Sequence, residues 1–424
     1  MRRYAVCGLS GRALEMYVKP LLEAPELGQV VAIIDIDRER VEMFNRRQGL
    51  QIPYYTPDEF DQMVRTTGPD ALIVTSTDVT HAGYIVAGLR RDLDVLAEKP
   101  MVVDCRQAAQ VLDAERASGG TLRVTHNYRY QASHMHIKRL ISEGKIGRVT
   151  NVEMSWNLDT YHGASYFWRW NRLRAISGGL TITKSCHHFD LLNWWLDDVP
   201  ELVFAFGGLN YYGPKSPHNP SAGEGGTLSP DEQRARSPYE RRWPKDTRDD
   251  HITRSRLPYQ VQYPAAERPM YLFDEAIEIE DTYSAVIRYR GGASVAYSLN
   301  ASAPWEGYVL GINGTHGRIE AVHHSAPARL PFPVEDHETV TLMPLFGDLE
   351  RSEFPIVRGG HGGADEKLRH ELFVGDLDEG AGLGLAAHGF AGACAVAVGE
   401  AVWRSVVEGR PISISELLPA AGRD

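Results

Sequence analysis

The sequence predicts two domains: an α/β domain built on a parallel sheet, followed by an α+β domain with a large, mainly antiparallel open sheet. Three observations predict this. A chain of 424 residues exceeds one ordinary core, which makes two domains the expectation. The first hundred or so residues alternate apolar strands with amphipathic helical stretches, the pattern of βαβ units. Beyond Leu122–Thr125 the texture shifts to strands joined by short turns. The first domain is therefore assigned to residues 1–124 and the second to 125–424. A glycine-bearing turn after the first strand makes the first domain a Rossmann domain.

In order, the apolar runs Tyr4–Cys7, Val30–Ile34, Ala71–Val74 and Asp94–Ala97 read as strands. Ala13–Glu23, Arg38–Arg47 and His81–Leu89 carry the helical period between them. In the second domain Val149–Trp156, Tyr283–Arg290 and Ala293–Leu299 read as antiparallel strands, the last two forming a hairpin closed by Gly291 and Gly292. Residues near 212–270 are rich in Pro, Gly, Ser, Arg and Asp with neither period, and read as an inserted loop. Ala381–Gly399 is almost wholly apolar, but Ala and Gly drive membrane insertion weakly and Glu400, Arg404 and Glu408 follow at once. It is expected to be a buried helix.

A formal charge of -11 gives no basic face for nucleic acid or an anionic membrane, so neither is expected as a partner. Four scattered cysteines without a CxxC pair predict no disulfide framework and no metal site. The N-terminus runs straight into a strand without an apolar signal region, which predicts a cytoplasmic protein.

The turn Gly8-Leu9-Ser10-Gly11-Arg12-Ala13 lies between a strand and a helix, where backbone N–H groups and a helix N-terminus bind a pyrophosphate. Ser10 and Ala13 stand where the second and third glycines of that fingerprint belong. Asp35 ends the second apolar strand and is placed to accept hydrogen bonds from ribose hydroxyls. A carboxylate there repels a ribose phosphate, so NAD is favoured over NADP, although Arg38 lies close by.

Glu98-Lys99-Pro100 follows a strand at the carboxyl edge of the sheet, where ligands of open α/β folds bind. With this motif the chain resembles the Gfo/Idh/MocA (glucose-fructose oxidoreductase and inositol dehydrogenase) family, whose hallmark is EKP after a strand. Ser76-Thr77-Asp78-Val79-Thr80-His81 is similar to that family's TPNxxH segment, and Ile146-Gly147-Arg148-Val149 to its IGxV start of the second domain. The resemblance implies that Ser76, Thr77, His81, Glu98 and Lys99 line the nicotinamide side of the cofactor pocket. Asn127, just past Leu122–Thr125, is grouped with the cofactor residues.

Residues 177–190 are similar to the family's GGxxxDxxxHxxD helix, with His187 in the histidine position and Thr183 where the family has aspartate. Helical spacing would bring Thr183, Lys184, His187 and Asp190 to one face. Removing a hydride from a hydroxyl-bearing carbon requires a base for the hydroxyl proton, and His187 and Lys99 are the catalytic candidates. Substrate candidates are Tyr128, Arg129, Tyr161, Trp168, Arg169, Thr183, Lys184, His188 and His361, a set of stacking faces and donors suited to a carbohydrate.

The expected activity is hydride transfer between NAD and a ring hydroxyl carbon of a sugar, cyclitol or glycoside. The alternative is a redox-neutral NAD-dependent glycosidase acting by oxidation, elimination, hydration and re-reduction, for which Lys184, Arg169 and Arg172 suggest an anionic glycoside such as a sulfoquinovoside. A non-enzymatic NAD or sugar sensor is disfavoured by the presence of both Lys99 and His187. An open sheet face favours a homodimer or homotetramer.

Overall fold

The computed structural model describes residues 1–221, 232, 235–242, 271–357, 361–375 and 377–419. Most of the insertion expected near 212–270, and Gly359 and Gly360, lie outside the described residues.

Six strands, β1 (Arg3–Cys7), β2 (Gln29–Ile34), β3 (Tyr54–Tyr55), β4 (Ala71–Val74), β5 (Asp94–Ala97) and β6 (Leu122–Val124), form one sheet in the order β3-β2-β1-β4-β5-β6. All its pairings are parallel, and β1 and β4 are buried almost throughout because helices cover both faces. The order reverses between β1 and β4, which opens a crevice beyond their carboxyl ends. The chain after β1 is helical from Gly11 to Glu23, with a π-helical stretch at Leu14–Val18.

The second sheet joins β7 (Val149–Asp159), β8 (Pro200–Gly208), β9 (Thr282–Tyr289), β10 (Ser294–Ala303), β11 (Glu306–Gly314), β12 (Gly317–Ser325), β13 (His337–Pro344), β14 (Glu350–Pro355) and β15 (Ile412–Ser413). Its order is β14-β13-β12-β11-β7-β10-β9-β8-β15. The β9–β10 hairpin forms as expected. The antiparallel expectation for the Val149 strand is corrected, because β7 runs parallel to β10 while pairing antiparallel with β11. The cause is the long helical crossover after β7, which brings the chain back to the sheet in the same direction.

Strict alternation in β9 and β10 buries one face under helices. The other face exposes Phe206, Val286, Val309 and Val322. The late apolar helix spans Gly389–Glu408, starting later than Ala381 because His388 is an extended cap residue. By length and composition it could cross a membrane, yet it lies packed on β8, on the Cys186–Leu196 helix and on the Cys105–Ala117 helix. Gly399 permits this approach: a Cβ there would stand 2.5 Å from the Thr181 carbonyl oxygen.

Candidate active site

The crevice beyond β1 and β4 opens into a cleft of about 1140 Å³ that runs on to the second domain. Its first wall begins at Gly8, whose φ of +95° belongs to glycine and whose Cβ, if present, would meet the Ser76 backbone at 2.5 Å. Ser10 caps the following helix, its Oγ accepting from the Ala13 N–H at 3.1 Å. The first-turn N–H groups of Gly11 and Arg12 have no intrahelical acceptor, and both residues line the cleft. At the end of β2, Asp35 accepts from the Leu9 N–H at 2.7 Å and from the Asp37 N–H at 2.9 Å, so this carboxylate also fixes the glycine turn. The arginine in the cleft here is Arg40, 3.8 Å from Asp35. Arg38 instead stacks on Tyr54. A tight turn, a helix N-terminus and a carboxylate at the end of β2 fit a dinucleotide's pyrophosphate and ribose.

Arg12 ties this wall to the second domain. Its Nε donates to Glu98 at 2.7 Å, and Nη1 and Nη2 donate to the two oxygens of Asp365 at 2.8 and 2.9 Å. Asp365 also receives Asn127 Nδ2 at 2.7 Å and faces His361 Nδ1 at 2.9 Å. His361 and Arg12 hold its carboxyl far below the usual range against the effect of burial. Glu98 additionally accepts from the Tyr17 hydroxyl at 2.7 Å.

At the junction of the two walls, the His81 ring nitrogens lie 2.9 Å from the Pro100 carbonyl and 3.0 Å from the Ser76 carbonyl, which fixes the corner carrying Lys99. Lys99 Nζ donates to the Thr183 carbonyl at 3.3 Å, and the Thr183 hydroxyl donates to Asp78 Oδ2 at 2.9 Å. Burial raises the Asp78 carboxyl to about 6, opposed by the positive charge of His81 and Lys99. Asp78, Lys99 and Thr183 all line the cleft.

Two family models match the chain: the NAD-binding Rossmann fold of the Gfo/Idh/MocA oxidoreductase family over residues 2–126, and its C-terminal alpha/beta domain over residues 138–414. The chain belongs to the Gfo/Idh/MocA oxidoreductase family. Its N-terminal domain is the family's NAD-binding domain. The chain is 44% identical over 426 residues to the YteT protein of Bacillus subtilis (strain 168), named only as an oxidoreductase, a match covering 98% of this chain and 99% of that one. It is 26% identical over 185 residues to inositol 2-dehydrogenase of Rubrobacter xylanophilus, covering 42% of this chain and 48% of that relative. Among solved structures, a levoglucosan dehydrogenase complexed with NADH superposes with a TM-score of 0.65 at 14% identity, over 97% of this chain and 99% of that one. An oxidoreductase from Agrobacterium radiobacter superposes with a TM-score of 0.64 at 15% identity, over 98% and 99% of the two chains. These two likenesses are of fold.

Set against the Gfo/Idh/MocA pattern, the site residues sort into two groups. Gly8, Ser10, Gly11, Arg12, Asp35, Ser76, Thr77, His81, Glu98, Lys99 and Asn127 line the cleft, as do Arg169, Thr183 and His361. Ala13 packs beneath it in the core. Tyr128, Arg129, Tyr161, Trp168, Lys184, His187 and His188 are not in the cleft wall. Arg129 makes a buried two-point ion pair with Asp190, which turns that carboxylate away from the cleft. Lys184 lies under the wall, donating to the Tyr128 hydroxyl at 3.2 Å. His188 stacks on Trp156 and pairs with the Tyr297 hydroxyl. Tyr161 is covered by Arg329, and the Trp168 ring lies under Arg169.

His187 stacks on Tyr128 with ring centroids 4.1 Å apart and is 2% exposed. Burial, then Lys99 and Lys184, push its pKa well below the ordinary histidine value. The expected single helical face is corrected as well: Leu180–Thr183 is one turn and Cys186–Leu196 a second helix. The chain tightens between them, with the N–H groups of both Lys184 and Ser185 directed at the Leu180 carbonyl. Asp78, Arg40 and Asn171 line the cleft without having been expected there as site residues. Asp78 had a signal: it stands three residues before His81, where the TPNxxH segment has asparagine.

Proposed function

We propose that the chain oxidises a ring hydroxyl of a sugar or cyclitol with NAD as the acceptor, and reduces the corresponding ketone in reverse. The observation that carries this is the Lys99, Thr183 and Asp78 group at the meeting of the nucleotide and second-domain walls. Bound NAD would be held by the Gly8–Ala13 turn and Asp35, and supplies the two-electron acceptor. The protein's task is then the hydroxyl proton. Lys99, anchored on the Thr183 carbonyl, donates to the substrate oxygen and stabilises its developing negative charge. The Thr183 hydroxyl accepts the substrate's proton as it passes its own to Asp78 Oδ2, leaving a neutral carboxyl. A carboxyl near 6 suits that role at neutral pH.

The family's aspartate position holds Thr183 here, and Asp78 supplies a carboxylate to the same place from the Rossmann side. His187, neutral and stacked on Tyr128 behind the wall, takes no part in the proton transfer. The exposed apolar face bearing Phe206, Val286, Val309 and Val322 is the surface through which copies of the chain associate, which light scattering on a Val286→Glu variant tests.

The test of function mixes the full-length protein, NAD and a panel of sugars, cyclitols and their nitrophenyl glycosides. NADH formed in proportion to sugar consumed supports the reading, and none from any member refutes it. The redox-neutral alternative is read in the same cuvette as nitrophenol release without net NADH.

A further inference from the structure

Buried and half-buried arginines in and around the cleft are neutralised by carboxylates with a single exception among the described residues. Arg12 pairs with Glu98 and Asp365, and Arg40 stands between Asp35 and Asp37. In the second domain Arg129 pairs with Asp190, Arg172 with Asp274, Arg174 with Glu280, and Arg329 with Asp159 and Glu306. His162, another cleft residue, faces Glu306 at 2.8 Å.

Arg169 lines the same cleft, and its titratable neighbours among the described residues are tyrosines. Its Nε is buried without a hydrogen-bond partner, while the Trp168 ring supports the guanidinium plane at 4.9 Å. Burial therefore works against this charge with no anion among the described residues to offset it. Two residues along the chain, the Asn171 side chain reaches the Thr183 hydroxyl at 3.5 Å, and two residues span at most about 7 Å. Arg169 and the proton-transfer group of Lys99, Thr183 and Asp78 line one and the same cleft.

We infer that Arg169 is the receptor for a carboxylate on the substrate, so that the enzyme acts on an acidic sugar such as a uronate. A guanidinium fork matches a planar carboxylate through two parallel hydrogen bonds. One unpaired arginine balances one negative charge. A phosphate dianion would call for a second cation beside Arg169, and the other candidates are committed: Lys99 to the reacting hydroxyl, His162 to Glu306, Arg172 to Asp274, and Lys184 beneath Tyr128. The assignment of reaction rests on the dehydrogenase reading above, but the carboxylate site does not.

The experiment compares galacturonate with galactose, glucuronate with glucose, and glucose 6-phosphate as the phosphate arm. Each is titrated calorimetrically against the NAD-loaded full chain and then assayed for NADH. Tighter binding of a uronate than of its neutral partner is expected, and Arg169→Met should reduce that acid-over-neutral ratio about 100-fold. Arg169→Lys should restore part of it. NAD binding, measured by fluorescence, serves as the folding control for both variants. The inference is overturned if neither uronate outbinds its neutral partner, if the phosphate outbinds both, or if the ratio is unchanged in Arg169→Met. Arg169-dependent uronate binding without NADH formation would uphold the carboxylate site while refuting the dehydrogenase reading.

Discussion

The two walls of the cleft treat charge in opposite ways. On the nucleotide wall, Arg12 and Arg40 are neutralised by carboxylates of the same protein, and the groups turned towards a ligand are backbone N–H groups and the Asp35 carboxylate. On the second-domain wall Arg169 has no carboxylate partner among the described residues. A ligand present in every turnover is held by a wall whose own charges are already balanced. The ligand that must be selected meets a wall with one charge left open. Between them, Lys99 and Asp78 belong to the first domain and Thr183 to the second, so the chemical centre forms only where the walls meet.

The largest expected effect tests that centre. Lys99→Met should lower kcat by about 1000-fold while leaving the Kd for NAD within a few-fold, measured by steady-state kinetics and by cofactor fluorescence. Full activity would remove Lys99 from the reaction. Arg12→Ala leaves Glu98 and Asp365 facing each other without their shared cation, and should cost about 3 kcal/mol of stability by denaturant unfolding. An unchanged midpoint would show that the nucleotide wall does not depend on internal neutralisation.

Asp78→Asn should lower kcat for oxidation by about 100-fold. The pH profile gives its sign. The buried carboxyl, raised to about 6, accepts a proton above that pH and is already protonated below it, so oxidation should fall as pH drops through about 6. The asparagine variant should lose that acid limb, whereas His187→Gln should keep it. A limb that persists in Asp78→Asn and vanishes in His187→Gln would return the proton to the histidine. The smallest expected effect is at Asp35→Ser, where removing the carboxylate should raise the NADP-to-NAD ratio of kcat/KM about tenfold, with Arg40 left to meet the ribose phosphate.

What the sequence disclosed follows the range over which each interaction acts. Gly8, Asp35 and the Glu98-Lys99-Pro100 corner announce themselves because each acts through its own turn or strand end. Helix His81–Leu89 is bounded as expected because its apolar period lies within nine residues. Residues 180–190 misled because helical spacing assumes an unbroken helix, and the break at Lys184–Ser185 takes His187 out of the cleft wall. Asp78 and Thr183 were each visible as departures from a motif, yet their pairing spans 105 positions and no periodicity links them. The parallel alignment of β7 with β10 was hidden for the same reason, since the two strands stand more than a hundred positions apart, with a helical crossover and two further strands between them.

The carboxylate that grips Arg12 comes from position 365, and Glu400 accepts the Cys105 N–H at the start of the helix after β5. A ribosome that has released only the first domain has therefore made every strand of the nucleotide sheet but not the groups that finish it. During synthesis Arg12 has Glu98 alone, and Asn127 waits for the acceptor that later orders it. The nucleotide wall is thus finished by side chains supplied hundreds of positions after its strands.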